Sequence, residues 1–308
     1  MTVIVSNGLE QGFTYAFMVL GVFLSFRLLG FPDLTVEGTF PFGAAVCAAL
    51  LVQGWSPVLA LAVAVIAWML AGVAAGVIHT KLKINNILAG ILTASALYTF
   101  MFWVMGRPNQ PLLQFSSALE QVQRVLHLPP GIWSRILLLG LLALGARLLL
   151  GWFLNTDLGL AIRATGNNEG MIRSLGVDTD TTKIITLAIA NGGVALSGAL
   201  IAQIQGFADV SMGIGSLVAA VASVILGETI FGTHVLGRLL TGVVVGSIIY
   251  RALLTSIYLL GIPPTDFKLI TAALVLAALG LPTLWTEWRS RVTRKRRARV
   301  RLRRAEER

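Results

Sequence analysis

The residues best placed to do chemistry lie in one polar stretch, Asn155 to Lys183, NTDLGLAIRATGNNEGMIRSLGVDTDTTK. It carries Arg163, Asn167, Asn168, Glu169, Arg173, Asp178, Asp180 and Lys183 between two apolar runs, each long enough to cross a bilayer. The sequence offers no nucleophile–base set, no metal-ligand set, and none of the P-loop, H-E-x-x-H or G-x-S-x-G patterns. The chemistry available is therefore recognition rather than bond making, and neither cofactor nor metal is expected. Asn168 to Leu175 reads as a short amphipathic helix, with Asn167 as N-cap, Glu169 in the first turn and Gly176 as stop signal. Met171, Ile172 and Leu175 give it one apolar face, which outside a membrane needs a protein to cover it. The plainer alternative is a connecting loop with incidental helicity.

A second set of polar residues interrupts apolar sequence. GFPDLTVEGTFPFGAA (Gly30 to Ala45) and GFADVSMGIGSLVAA (Gly206 to Ala220) align without gaps. Gly30, Phe31 and Asp33 match Gly206, Phe207 and Asp209, and Thr35 faces Ser211. An Asp with Thr or Ser two residues later, ahead of a small-residue run, marks a helix start. Two such starts on opposite sides of a bilayer are the sign of an inverted repeat whose broken helices meet near the midplane. The alternative is two ordinary loops. If the first copy dips inward, Asp33, Thr35 and Glu37 sit at partial membrane depth, facing a cavity or a partner. Asn191 is polar inside a span and would line a pathway or bond a neighbouring helix. Glu10, Glu228 and Arg251 are further in-span ionisable groups, and no pairing between them can be assigned from sequence.

The elements that must position these groups are membrane helices. The chain has 308 residues, 56% hydrophobic and only 12% charged, with a mean hydropathy of +0.82, against roughly 25% charge in soluble domains. Apolar runs of about 20 residues recur, continuous rather than alternating, which disfavours a β-barrel and gives an all-α polytopic bundle. Nine spans are expected: Gly8–Leu29, Gly38–Gly54, Pro57–His79, Asn86–Met105, Ile132–Trp152, Ile184–Gln205, Gly213–Phe231, Leu236–Leu260 and Phe267–Trp285. Gly72 with Gly76, Gly192 with Ala195, and Gly242 with Gly246 allow close helix contact. Ser117–Leu128 reads as a short helix on one surface. No signal peptide is evident, and the single Cys47 excludes an intrachain disulfide.

Orientation follows from basic residues in short loops. Arg27, Lys81, Lys83, the Asn155–Lys183 loop, Arg238 and the tail share one side, so the N-terminus is placed outside and the C-terminus in the cytoplasm. Residues 1–285 form the transmembrane domain, with 155–183 as its cytoplasmic loop, and 286–308 form a basic tail. The net charge of +10 is no nucleic-acid signal, because nearly half of the 24 basic residues lie between Arg289 and Arg308. That run begins directly after a span and lacks interleaved aromatics, so it reads as an anchor on anionic lipid.

These motifs are similar to those of permease subunits in bacterial ABC importers of the ribose and branched-chain amino acid type. The resemblance covers nearly the whole chain. It rests on Asp33-Leu34-Thr35-Val36-Glu37-Gly38 before a broken span and on Arg163, Ala164, Gly166, Asn168, Glu169, Arg173, Gly176 and Val177 in the cytoplasmic loop. LGETIFGTHVLG matches a glycine-rich segment of the family, with Glu228 in place of its second glycine. Glu37 departs from the sugar-permease pattern and argues against a sugar. LTVEGTFP, INNILAGILTASALY and MGRPN resemble a subgroup linked to aromatic amino acid uptake. The resemblance implies a multi-pass protein of the bacterial inner membrane that is not itself an enzyme. Two permease copies would form the pathway, two ATPase subunits would each receive the Asn168–Leu175 coupling helix, and an extracytoplasmic binding protein would deliver substrate. The competing reading is an ion-coupled transporter or channel using Glu10, Glu37 and Glu228. Phe13, Tyr15, Tyr98, Phe102 and Trp103 would line an apolar path or simply pack.

Overall fold

The computed structural model describes residues 2–259 apart from His234, and four helical positions beyond them, Leu269, Ala272, Ala273 and Leu276. The chain divides into two units, Met1–Ile262 and Pro263–Arg308. The rest of the expected ninth span and the basic tail lie outside the described residues.

The described chain is mainly helical, with short connections and two three-residue strands. In order it runs α1 (Thr2–Val22), a π-helical segment Phe23–Leu28, α2 (Val36–Val52), α3 (Pro57–Thr80), α4 (Asn86–Met105), β1 (Asn109–Pro111), α5 (Ala118–Val125) and α6 (Ile132–Phe153). The remainder is α7 (Asp157–Asn167), α8 (Glu169–Ser174), α9 (Thr179–Gln205), β2 (Phe207–Asp209), α10 (Ser216–Phe231) and α11 (Leu236–Leu259). Among the described residues six helices are long and apolar enough to cross a membrane: α1 with its π-helical extension, α3, α4, α6, α9 and α11. α2 and α10 are apolar but have 17 and 16 residues. At 1.5 Å per residue each is roughly 25 Å long, short of the roughly 30 Å hydrocarbon core.

Most ends follow their local chemistry. Asn85 caps α4 through the Ile87 amide at 3.0 Å, and Gly106 and Gly206 close α4 and α9 in the left-handed conformation. Ser117 and Glu120 form a reciprocal capping box on α5. α9 begins five residues before the expected start, because Asp178 accepts the amides of Asp180 and Thr181 at 3.0 and 3.3 Å and starts the helix at Thr179. Its polar first turn hid that boundary from a hydrophobicity reading.

α9 is the central element, enclosed along most of its length, whereas α3, α4 and α6 turn much of their surface outward. Small residues bring its neighbours in. A methyl group added to Gly21 of α1, Gly43 of α2 or Gly72 of α3 would strike the carbonyl oxygens of Ala190, Ala195 or Leu187 on α9. Gly242 and Gly246 do the same for α11 against Gly227 and Ser223 of α10. Gly72→Val cannot fit without parting α3 from α9, and overpacking of this kind costs about 1–3 kcal/mol or more. The detergent-solubilised variant should unfold at a clearly lower temperature; an unchanged midpoint would show that the α3–α9 contact is looser than described.

Candidate functional site

The polar segments collect at two ends of the bundle. At one end Lys81 lies 3.9 Å from Asp180, Arg27 pairs with Glu228 at 2.5 Å, and Gly166 of α7 abuts the Leu28 carbonyl. At the other end β1 pairs antiparallel with β2, with Asn109 opposite Asp209, and the Ala118 amide donates to Gln203 Oε1 at 2.7 Å. The β1–β2 pairing is a contact that sequence reading missed, since its strands are three residues long and about a hundred residues apart.

Between these ends the two interrupted helices come together. α1 unwinds through its π-helical segment to Gly30, which has φ +67°. Asp33 then accepts the Thr35 amide at 2.9 Å and the Thr35 hydroxyl, a local bond that fixes the turn into α2. The node is closed by α9. Asn191 Nδ2 donates to Asp33 Oδ2 at 2.8 Å and to the Leu187 carbonyl at 2.9 Å. Asn191 Oδ1 accepts the Thr39 hydroxyl at 2.7 Å. Asp33, Thr35, Thr39 and Asn191 are each 0% exposed, so one hydrogen-bonded cluster ties the break to the central helix. Thr39 was not singled out in the sequence, although its position one turn after Thr35 puts both hydroxyls on one face of α2.

Glu37, two residues on, reaches the other interrupted helix, where its Oε1 accepts the Gly215 amide at the start of α10 from 3.1 Å. Gly213 abuts the Glu37 carbonyl so closely that no side chain would fit there. A carboxylate at a helix N-terminus is electrostatically favoured, so the starts of α2 and α10 are held together. Asp209 and Ser211 are placed elsewhere. Asp209 accepts the Ser211 amide at 2.8 Å and the Ser211 hydroxyl at 2.5 Å, and its second oxygen takes Asn109 Nδ2 at 3.0 Å. This repeats the Asp33 turn, down to an asparagine supplied from elsewhere in the chain, but the residue is half-buried near β2 and separate from the buried node.

The Asn155–Lys183 segment forms two helices rather than one. Thr156 caps α7 through the Gly159 amide at 3.4 Å. The expected cap Asn167 is the last residue of α7, and Asn168 caps α8 instead, accepting the Met171 amide at 3.0 Å. The correction is one residue, and its cause is that Asn168 takes the extended conformation (φ −156°) that an N-cap needs. Gly176, at φ +87°, ends the turn after α8. The apolar face is also split: Ile172 is buried within the chain, whereas Met171 and Leu175 are 53% and 69% exposed.

α8 is fixed to the start of α9 by charge. Lys183 Nζ donates to both Glu169 oxygens at 2.8 Å. Arg173 Nη2 donates to Glu169 at 3.0 Å, to Asp180 at 3.1 Å and to the Thr179 hydroxyl at 2.7 Å. The Lys183 bonds, aided by Thr179 and the Arg173 charge, outweigh partial burial and hold the Glu169 carboxyl below the usual glutamate range. A carboxylate with a lowered folded-state pKa contributes stability that is present above its unfolded pKa and is lost as pH falls through the folded value. The side chain is 39% exposed, so each pair contributes only about 0.2–1 kcal/mol. Limited proteolysis within 168–178 should therefore accelerate at pH values below the ordinary glutamate range, and Glu169→Gln should show that faster cleavage already at pH 7. Equal cleavage of variant and wild type at pH 7 would contradict the clamp.

The apolar bundle, with its interrupted helices and a polar segment at one end, is that of a multi-pass membrane protein. The chain belongs to the family described as branched-chain amino acid transport system / permease component, whose family model matches residues 4–279. It is 39% identical over 276 residues to a tyrosine transport system permease protein of Clostridioides difficile, covering 90% of each chain. It is 31% identical over 280 residues to an uncharacterized protein of Rickettsia prowazekii, covering 90% of this chain and 96% of that one. An autoinducer 2 import system permease protein of Salmonella paratyphi B is 30% identical over 232 residues, 73% of this chain and 61% of its own. No solved structure matches.

Proposed function

We propose that the chain is the membrane subunit of an ATP-driven ABC importer that carries an amino acid, an aromatic one by its likeness to the tyrosine permease. In this reading two copies enclose the pathway, two ATPase subunits dock on α8, and a binding protein delivers substrate at the end bearing β1 and β2. That assignment places Asn155–Lys183 in the cytoplasm, the N-terminus outside and the chain in the bacterial inner membrane, with nine spans. Residues 1–285 are the permeation domain and 286–308 the cytoplasmic tail. The meeting of α2 and α10 and their matching Asp turns support an inverted repeat.

The observation that carries the proposal is the mounting of α8. Met171 and Leu175 stand free for a partner, while Glu169 and Arg173 bind the helix rigidly to α9, which holds Asn191 and the Asp33 break. A push on α8 is thus delivered to the interrupted helices, as a motor-driven change of state requires. Ion coupling fits less well. Glu10 lies 3.5 Å from Arg135, Glu228 pairs with Arg27 and Glu37 takes the Gly215 amide, so each proposed ion ligand already has a partner.

The test is reconstitution with an ATPase and a binding protein of this importer class. ATP-dependent accumulation of labelled L-tyrosine in proteoliposomes is expected. Accumulation that follows an imposed Na+ or proton gradient without ATP would overturn the proposal.

A further inference from the structure

Arg251 lies well inside α11, and it differs from several other charged groups of the spans. Glu10 and Arg135 face each other, as do Arg27 and Glu228. Arg147 donates to the Gly237 carbonyl at 2.8 Å and to the Thr241 hydroxyl at 3.0 Å. Among the described residues, Arg251 has no oxygen acceptor for its side chain. Its guanidinium carbon lies instead 3.1 Å from the centroid of the Tyr15 ring and 5.9 Å from that of Tyr250. Ring faces attract a cation, but among the described residues its five N–H donors find no acceptor inside an apolar span, where an unsatisfied charge is costly.

The mounting is rigid. The Tyr15 ring stacks on Phe40, with centroids 5.5 Å apart and planes 20° apart, and Phe40 is 0% exposed. α1 and α11 are locked side by side, since Gly12 abuts Ile248 and the Ser247 hydroxyl donates to the Gly12 carbonyl at 2.8 Å. Phe40 lies one turn from Glu37, so the stack leads from Arg251 to the junction of α2 with α10. Arg251 itself is only partly buried, so its open side is accessible.

We propose that Arg251 is the residue of the translocation pathway that receives the substrate's carboxylate, held in place by the Tyr15–Phe40 stack. A planar guanidinium with free donors matches a carboxylate in a two-bond fork. An amino acid leaving water supplies that group, and it would satisfy the donors that the described residues leave open. The inference rests on the amino acid reading above.

The test uses the permease–ATPase complex in proteoliposomes with its binding protein, and labelled L-tyrosine, L-leucine and D-ribose as probes. Assembly of each variant is checked by co-purification of the ATPase. Arg251→Met should lower amino acid uptake at least about tenfold at saturating binding protein, and Arg251→Lys should restore part of it. Arg251→His supplies a readout that a packing role would not move. Its uptake should rise several-fold as the pH falls from 8 to 6, through the ordinary imidazole value of about 6.5, while the wild type changes little over that range. The rings facing this position are those of Tyr15 and Tyr250, and Glu10 on α1 is engaged with Arg135. Wild-type uptake by assembled Arg251→Met, or Arg251→His uptake as flat with pH as the wild type's, overturns the role of Arg251 and leaves the amino acid reading intact. Import of ribose in place of either amino acid overturns both.

Discussion

Leu175→Asp is expected to abolish ATP-driven uptake while the permease still folds and inserts. Leu175 is 69% exposed and lies just past α8, whose own hydrogen bonds do not involve its side chain. The substitution therefore removes nothing that holds the chain together. It places a charge at the centre of the apolar pair, Met171 and Leu175, that the proposed ATPase cleft covers. Hot-spot losses of about 2–4 kcal/mol correspond to a weakening of docking by roughly 30- to 900-fold. The checks are co-purification of the ATPase and uptake in the same preparation. Retention of both at wild-type levels would exclude α8 as the docking element. Leu175→Met, which keeps an apolar surface, should be nearly silent.

Asn191→Leu is expected to lower transport as severely by a different route. It keeps the side-chain volume but removes the donor to Asp33 and the acceptor for Thr39, 158 and 152 residues away in sequence. A buried carboxylate then loses a partner, at a cost of about 1–3 kcal/mol and more for a charged group. Some loss of thermal stability should accompany the loss of uptake. Replacing Asp33 and Thr35 together with Leu and Val removes the buried charge and its Thr35 donor but leaves Asn191 bonded to Thr39 and Leu187. That variant should regain stability relative to Asn191→Leu and still fail to transport, because the Asp33 break is no longer tied to α9. Normal uptake by the Asp33/Thr35 variant would reduce the node to scaffold.

Much of this arrangement can be read from the sequence because it is local. Asn85, Asp178 and the Ser117–Glu120 pair mark helix starts through bonds spanning two or three residues, and Gly106, Gly176 and Gly206 mark ends through their own backbone. Continuous apolar runs locate the long helices for the same reason. The Asp33 and Asp209 turns are equally visible, since each is a carboxylate bonded to a residue two places on. What escapes is what depends on distant partners. Whether Asn167 or Asn168 caps α8 is decided by where α7 ends, and of α7 only Gly159, Ile162 and Thr165 are buried, so its sequence carries little apolar periodicity to mark that end. The direction of Ile172 was missed because the apolar face of a six-residue helix is shared between its own chain and the outside. The partners of Glu10, Glu228 and Asn191 lie more than a hundred residues away, so periodicity carries no trace of them.

The mechanical claim at the centre of this account is that the turn at Leu175 meets an ATPase subunit in the cytoplasm. Cys47 is the only cysteine and is fully buried, so Leu175→Cys supplies the one reactive thiol. A thiol-specific cross-linker applied to inside-out vesicles holding the assembled transporter should yield an adduct with the mass of permease plus ATPase, and none in right-side-out vesicles treated with a membrane-impermeant reagent. Labelling of that thiol from the outer side, or its persistence without any ATPase adduct, would contradict the account.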